Sequence, residues 1–259
     1  MRILITNDDG IAAEGLAVLH EIACAIAGEE NVWTIAPAHE QSGVGHCISY
    51  SQPVLLTKLA DRRYSVTGSP ADCVLAGLFD VMKDTPPDIV LSGVNRGNNA
   101  ADNTLYSGTI GACMEAVLHH VKSIALSQYY GPKNRDLADT FEASRTAGEE
   151  VLRKLIEEAP WHEGPYELFY NVNFPPCSGA QVKGTKAVAQ GWREDVEFGV
   201  QAHVQGTKRF LYIQGGPQDK PTAPGTDVHA NLNDYVSVTP MRVDLTAHEK
   251  MGQLQEIFD

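Results

Sequence analysis

The sequence has no C-x-x-C pair, no apolar run near the length of a membrane span and no surplus of basic charge. Each absence closes off a class of function. The five cysteines (Cys24, Cys47, Cys73, Cys113 and Cys177) are scattered and odd in number. Neither a disulfide framework nor a thiolate metal site is expected, and the expected compartment is a reducing cytoplasm. No apolar stretch approaches the roughly 18 residues of a membrane span. The apolar run at 3–6 is cut at once by Asn7-Asp8-Asp9-Gly10, so it does not read as a signal peptide. Lys and Arg number 20 against 33 Asp and Glu, a net charge of −13. With no basic stripe to neutralise phosphates, duplex nucleic acid is disfavoured as a partner, and a membrane surface for the same reason.

What remains is a core-forming chain. Of its 259 residues 43% are apolar and 20% charged, ample for a packed interior. That length fits one large α/β domain or a domain with an appendage. Short apolar runs at 3–6, 32–36, 88–92 and 123–127 read as buried strands. Between them lie helical patterns. Leu16, Leu19, Ile22, Ala23 and Ile26 share one helix face, closed by Gly28. Ser69-Pro70-Ala71-Asp72 reads as a capped helix start before Val74, Leu75, Leu78, Phe79 and Met82. A small-residue helix is expected over 108–121 and a long one over 137–159. Strand–helix alternation of this kind implies a mostly parallel, Rossmann-like sheet with helices on both faces. Such sheets bind ligands beyond the carboxyl ends of their strands. The last third reads differently, with strand-like segments at 168–174, 186–190, 210–214 and 235–241 between Gly/Pro-rich loops. The expected division is a metal- and phosphate-binding core over 1–165. Residues 166–259 then continue that core and add a β-rich extension able to pair with another subunit.

The polar loops after these strands carry the chemistry. Asp8 and Asp9 follow the first strand. Two carboxylates about 5 Å apart repel by about 3 kcal/mol at an effective dielectric near 20, and a divalent cation turns that repulsion into attraction. Alone, N-D-D-G reads as a polar turn capping the next helix; its place after a buried first strand points to a site. Ser42, beside Gly43, offers a hydroxyl after the second strand. Gly43-x-Gly45 lacks the third glycine of a dinucleotide fingerprint. After the 88–92 strand comes Ser92-Gly93-Val94-Asn95-Arg96-Gly97-Asn98-Asn99, crowded with amides. Tyr106-Ser107-Gly108-Thr109 then opens a helix whose N-terminus can cap itself and cradle an anion with the same donors. The donors are oxygens alone, which select Mg²⁺, Mn²⁺ or Ca²⁺ over Zn²⁺. Cys73 and Cys113 read as core thiols and Glu149, Glu150, Glu157 and Glu158 as a solvated helix face. His119-His120 reads as a helix end and not as a ligand pair. Trp192 could either stack on a base or pack.

These motifs, in order, resemble the survival protein SurE family of metal-dependent 5′/3′-nucleotidases. The match runs through ILITNDDG, APxxxQSG, TGSPADCV, SGVNRG with Asn99, YSGT, Asn171-Val172-Asn173-Phe174-Pro175 and Tyr235-Val236-Ser237-Val238-Thr239-Pro240. The resemblance implies one divalent cation, Mg²⁺ or Mn²⁺, per subunit on Asp8, Asp9, Ser42 and Asn95. It also implies phosphate contacts from Asn99, Ser107, Gly108 and Thr109. The implied reaction is metal-assisted attack of water on the phosphorus of nucleoside 5′- and 3′-monophosphates, with Asp8 or Asp9 as candidate proton acceptors. A homodimer or homotetramer with exchanged C-terminal extensions is implied as well. Two positions depart from the family pattern: Ala101 and Asp234 stand where relatives commonly carry glycine. The D-x-D-x-T pattern of aspartyl-phosphate phosphatases and the D-x-D pattern of calcium nucleoside hydrolases are both missing. A nucleotide-binding protein without turnover is the remaining rival, and the intact ligand set argues against it.

Overall fold

A computed structural model describes residues 1–163, 166–194 and 198–258. Pro165, where the sequence reading ends the core, lies outside the described residues. The first strand, β1 (Ile3–Thr6), is wholly buried and alternates its side chains across the sheet. Ile3 and Ile5 enter one apolar cluster with α1 (Glu14–Ala27) and α4 (Glu142–Glu158). Leu4 enters the opposite one with α2 (Pro70–Ala76) and α3 (Gly108–Leu118). Period-2 alternation into two helical layers is what a parallel sheet covered on both faces demands.

The sheet is completed by β2 (Val32–Pro37), β3 (Leu56–Ala60), β4 (Arg63–Val66), β5 (Ile89–Arg96) and β6 (Lys122–Gln128). After two short strands, β7 (His162–Glu163) and β8 (Tyr166–Glu167), which pair only with each other, comes β9 (Phe169–Phe174). β10 (Thr185–Ala187) and β13 (Val236–Met241) also join the main sheet. Its nine strands run in the order β10-β13-β9-β6-β5-β1-β2-β4-β3. β1 pairs in parallel with β2 on one side and β5 on the other. The chain winds outward from β1 in one direction and then in the other, which puts the topological switch point at β1.

The Rossmann-like fold class expected from the strand–helix alternation is the one found. The α2 start is as read: Asp72 N–H donates to Ser69 Oγ at 3.1 Å and Ser69 N–H to Asp72 Oδ2 at 2.7 Å. Cys73 and Cys113 are buried, and all five cysteines are free thiols. Several boundaries differ. The long helix begins at Glu142 and not 137, because Asp139 Oδ1 takes the Phe141 N–H and holds a turn before it. α3 ends at Leu118 instead of 121, with His120 at φ +58. β5 runs on to Arg96, so Asn95 sits on a strand end, after a bulge between Ser92 and Asn95. The hairpin β3–β4 and the helices α5 (Asp227–Leu232) and α6 (Met251–Phe258) lie where the sequence reading places no element, although Met251, Leu254, Ile257 and Phe258 of α6 do recur at helical spacing. In the last third, β11 (Gly199–Gln205) and β12 (Lys208–Gln214) form a separate antiparallel hairpin, exposed along its whole length. No described helix is long and apolar enough to cross a membrane.

Candidate active site

The carboxyl ends of β1, β2 and β5 open into one cleft of about 520 Å³. Asp8, Asp9, Ser42, Asn95, Asn99 and Ser107 all line it. Residues separated by more than a third of the chain therefore meet at the switch point. The turn after β1 is built by Gly10 at φ +100, a conformation that suits glycine. Asn7 Nδ2 donates to Gly10 O at 3.0 Å and closes the turn.

The two carboxylates have different environments. Asp8 is 5% exposed, and burial is the main cause that lifts its pKa to about 6, with Asp9 adding repulsion. Thr109 opposes this: its hydroxyl donates to Asp8 Oδ1 at 2.6 Å. Burial also raises the pKa of Asp9, against the Arg96 N–H, which donates to its Oδ2 at 3.0 Å; Glu40 adds like charge. Among the described residues neither Asp8 nor Asp9 has an ion pair with a basic side chain. The Asn95 amide donates from Nδ2 to Gly97 O at 3.0 Å, which leaves its carbonyl oxygen as an acceptor. Ser42 Oγ donates to Glu40 Oε1 at 2.7 Å and keeps its lone pairs. A buried carboxylate and a half-buried one beside free oxygen acceptors form a donor set that a hard cation fits. No group of three or more His, Cys, Asp or Glu that could hold a metal occurs among the described residues. The fit therefore depends on the hydroxyl and the amide as well as the acids.

The residues expected at the phosphate divide into two pairs. Asn99 and Ser107 line the cleft, whereas Gly108 and Thr109 lie buried behind it. Ser107 caps α3 by accepting from Ile110 N–H at 3.1 Å. Thr109 is engaged with Asp8, so it ties the helix start to the carboxylates. Asn99 is held by Asn173 Oδ1, which accepts its N–H at 2.8 Å, and by Ser127 Oγ, which accepts from its Nδ2 at 2.8 Å.

Arg96, whose guanidinium the sequence places in the amide-rich loop, is on the cleft wall, together with Glu40, Tyr106 and Phe198, to which sequence reasoning gave no role. Tyr106 and Phe198 meet edge to face with ring centroids 4.8 Å apart. Trp192 is 68% exposed and takes no part. Its neighbour Arg193 is 2% exposed and donates to Asn98 Oδ1 at 2.8 Å and Ala100 O at 3.2 Å, bracing the loop that carries Asn99. The two departures from the glycine pattern both adopt positive φ, Ala101 at +51° and Asp234 at +69°. Asp234 sits there with ion pairs to Lys133 at 3.0 Å and Lys183 at 3.1 Å.

Fold and site together define a doubly wound α/β protein with an acidic, oxygen-rich cleft beside a helix N-terminus. The family model described as survival protein SurE matches residues 3–197. A protein of Roseobacter denitrificans named 5′-nucleotidase SurE is 59% identical over 259 residues, covering 99% of each chain. One of the same name from Ruegeria pomeroyi is 58% identical, over 98% of this chain and 99% of the other. The crystal structure of SurE protein from Aquifex aeolicus superposes with a TM-score of 0.82 at 32% identity, over all of both chains. The chain belongs to the SurE family.

Proposed function

We propose that the protein is a divalent-cation-dependent phosphatase that hydrolyses nucleoside 5′- and 3′-monophosphates to nucleoside and phosphate. One observation carries the reading: two carboxylates, a hydroxyl and an amide, brought from two loops and the end of β5, line one cleft beside the start of α3. Relatives spanning the whole chain bear the name 5′-nucleotidase. Asp8, Asp9, Ser42 and Asn95 would hold Mg²⁺ or Mn²⁺. Bound there, the cation supplies charge neutralisation and Lewis acidity toward a phosphate ester.

The chain's own groups do the rest. Asn99 and Ser107 face the phosphate, and the first N–H groups of α3 add the positive end of the helix dipole. These donors answer the charge that builds on the equatorial oxygens as water attacks phosphorus. The Asp8–Asp9 pair would accept the water's proton as the new P–O bond forms and the bond to the sugar oxygen breaks, and the departing oxygen takes up a proton from solvent to give the nucleoside. The edge-to-face pair of Tyr106 and Phe198 offers the cleft's aromatic surface, suited to stacking a base of either class.

We further infer a homodimer or homotetramer and a cytoplasmic location. The hairpin leaves Val200, Val204, Leu211 and Ile213 each more than half exposed, and α6 does the same with Ile257 and Phe258. Apolar surface of this kind is characteristic of an interface. Five free thiols suit a reducing compartment.

The test is a phosphate-release panel over 5′- and 3′-mononucleotides, with chelator, then Mg²⁺ or Mn²⁺, and Asp9→Asn as control. Chelator-sensitive release that Asp9→Asn lacks is expected. Nucleotide binding with no phosphate released would refute it.

A further inference from the structure

Behind the cleft lies a carboxylate with both oxygens occupied by imidazoles. Glu115, on α3, is 7% exposed. His46 Nε2 lies 2.6 Å from its Oε2 and His119 Nε2 lies 2.9 Å from its Oε1. The hydrogen bond from His46 chiefly holds the Glu115 carboxyl below the usual range, outweighing burial, and His119 adds to it. His119 is one turn further along the same helix. His46 comes from the irregular stretch 38–55, which also carries Ser42.

That stretch has few other ties near Ser42. Upstream, Gln41 N–H donates to Asp8 O at 2.7 Å. Downstream, Gly45 N–H donates to Tyr106 O at 3.0 Å, and its carbonyl rests on α3 at Gly111, where a Cβ would come within 2.4 Å of that oxygen. His46 then locks onto Glu115 one turn further along α3. Beyond it, Cys47 O accepts from Ser69 Oγ, and Ser49 binds both oxygens of Asp72. Among the described residues, Ser42 Oγ bonds only to Glu40, a member of its own loop. Its place opposite Asp8 and Asp9 is therefore set by the anchors on either side.

We propose that His46, clasped to Glu115 with His119 on the other carboxylate oxygen, is a positioning residue that delivers Ser42 to the cation site. The clasp rests on the cation reading above. It makes α3 a common reference: the helix start holds Asp8 through Thr109, and its middle holds the Ser42 loop through Glu115. A residue that acts through a ligand in this way changes metal affinity, typically by about 10- to 100-fold when removed.

The experiment titrates Mn²⁺ into the full chain, reading free Mn²⁺ by electron paramagnetic resonance, for wild type, His46→Ala, His46→Gln and Asp9→Asn. His46→Ala is expected to bind Mn²⁺ about tenfold more weakly. His46→Gln, whose amide N–H reaches the same carboxylate oxygen, is expected to recover most of that loss. Amide exchange at Gly45 in the metal-free protein should quicken in His46→Ala and return in His46→Gln. Wild-type Mn²⁺ affinity in His46→Ala, with binding lost in Asp9→Asn, overturns the clasp alone. Wild-type affinity in both variants removes the cation site and the clasp together.

Discussion

The carboxyl edge of the sheet and the β11–β12 hairpin are opposite answers to the same question of where side chains go. At the edge, β1 is buried on both faces and the polar loops that follow it turn inward around one cleft. In the hairpin, seven residues per strand pair cleanly, yet all fourteen positions are exposed. A two-stranded ribbon with no layer against it is marginal in water on its own. The edge thus gathers its polar groups into a cleft within one chain, whereas the hairpin leaves its apolar side chains with no layer against them.

The sharpest way to break that contrast is to remove a ligand. Asp9→Asn should lower phosphate release by about 100-fold or more, as expected when the charge that holds a catalytic ion is lost. Circular dichroism should stay native. Retained turnover with added Mn²⁺ would detach the edge from the chemistry.

Next in size is a comparison of truncations. Leu4→Ala, at a side chain with no exposure, should cost about 3 kcal/mol in denaturant unfolding. Leu211→Ala, at 58% exposure, should cost about 0.5 kcal/mol or less in a monomer. An equal cost at both, together with a change in mass by light scattering, would show the hairpin buried between subunits.

The pH dependence comes third. Asp8 in the folded protein holds its proton up to about 6, above its ordinary value. A raised carboxyl pKa means that the metal-free fold loses stability as pH climbs through that window, by about 1–3 kcal/mol at most. Asp8→Asn should therefore melt higher than wild type above pH 6 without metal, while being inactive. Thr109→Val removes a hydrogen bond that lowers the Asp8 pKa, so in the metal-free protein the Asp8 titration followed by NMR should move to higher pH. Smallest is the aromatic wall. Phe198→Ala should raise KM for adenosine 5′-monophosphate relative to ribose 5-phosphate by about tenfold, the scale of one stacking contact. An unchanged ratio takes Phe198 off the base.

The parts legible in sequence are those where local chemistry and tertiary place agree. A buried four-residue run followed by N-D-D-G announces both a strand and its carboxyl edge, and the Ser69–Asp72 capping box announces α2. Thr109 was legible as a helix-start residue but not as the partner of Asp8, since a 101-residue separation leaves no local trace. Arg193 and the His46–Glu115 pair were hidden for the same reason. Tyr106 and Phe198 give no periodic signal, because aromatics in loops look alike whether they wall a cleft or face solvent. Trp192, which the sequence leaves open between stacking on a base and packing, is 68% exposed, while its neighbour Arg193 is buried. The helix start at 137 was misread because Asp139 competes for a backbone donor that the periodicity does not register.

In the proposed site, donors from two loops and the end of β5 converge on a single hard cation. Anomalous diffraction from crystals soaked in Mn²⁺ tests it most directly. One strong peak is expected in the cleft within bonding distance of Asp8, Asp9, Ser42 and Asn95; a peak seated elsewhere, with those side chains apart, would refute the site.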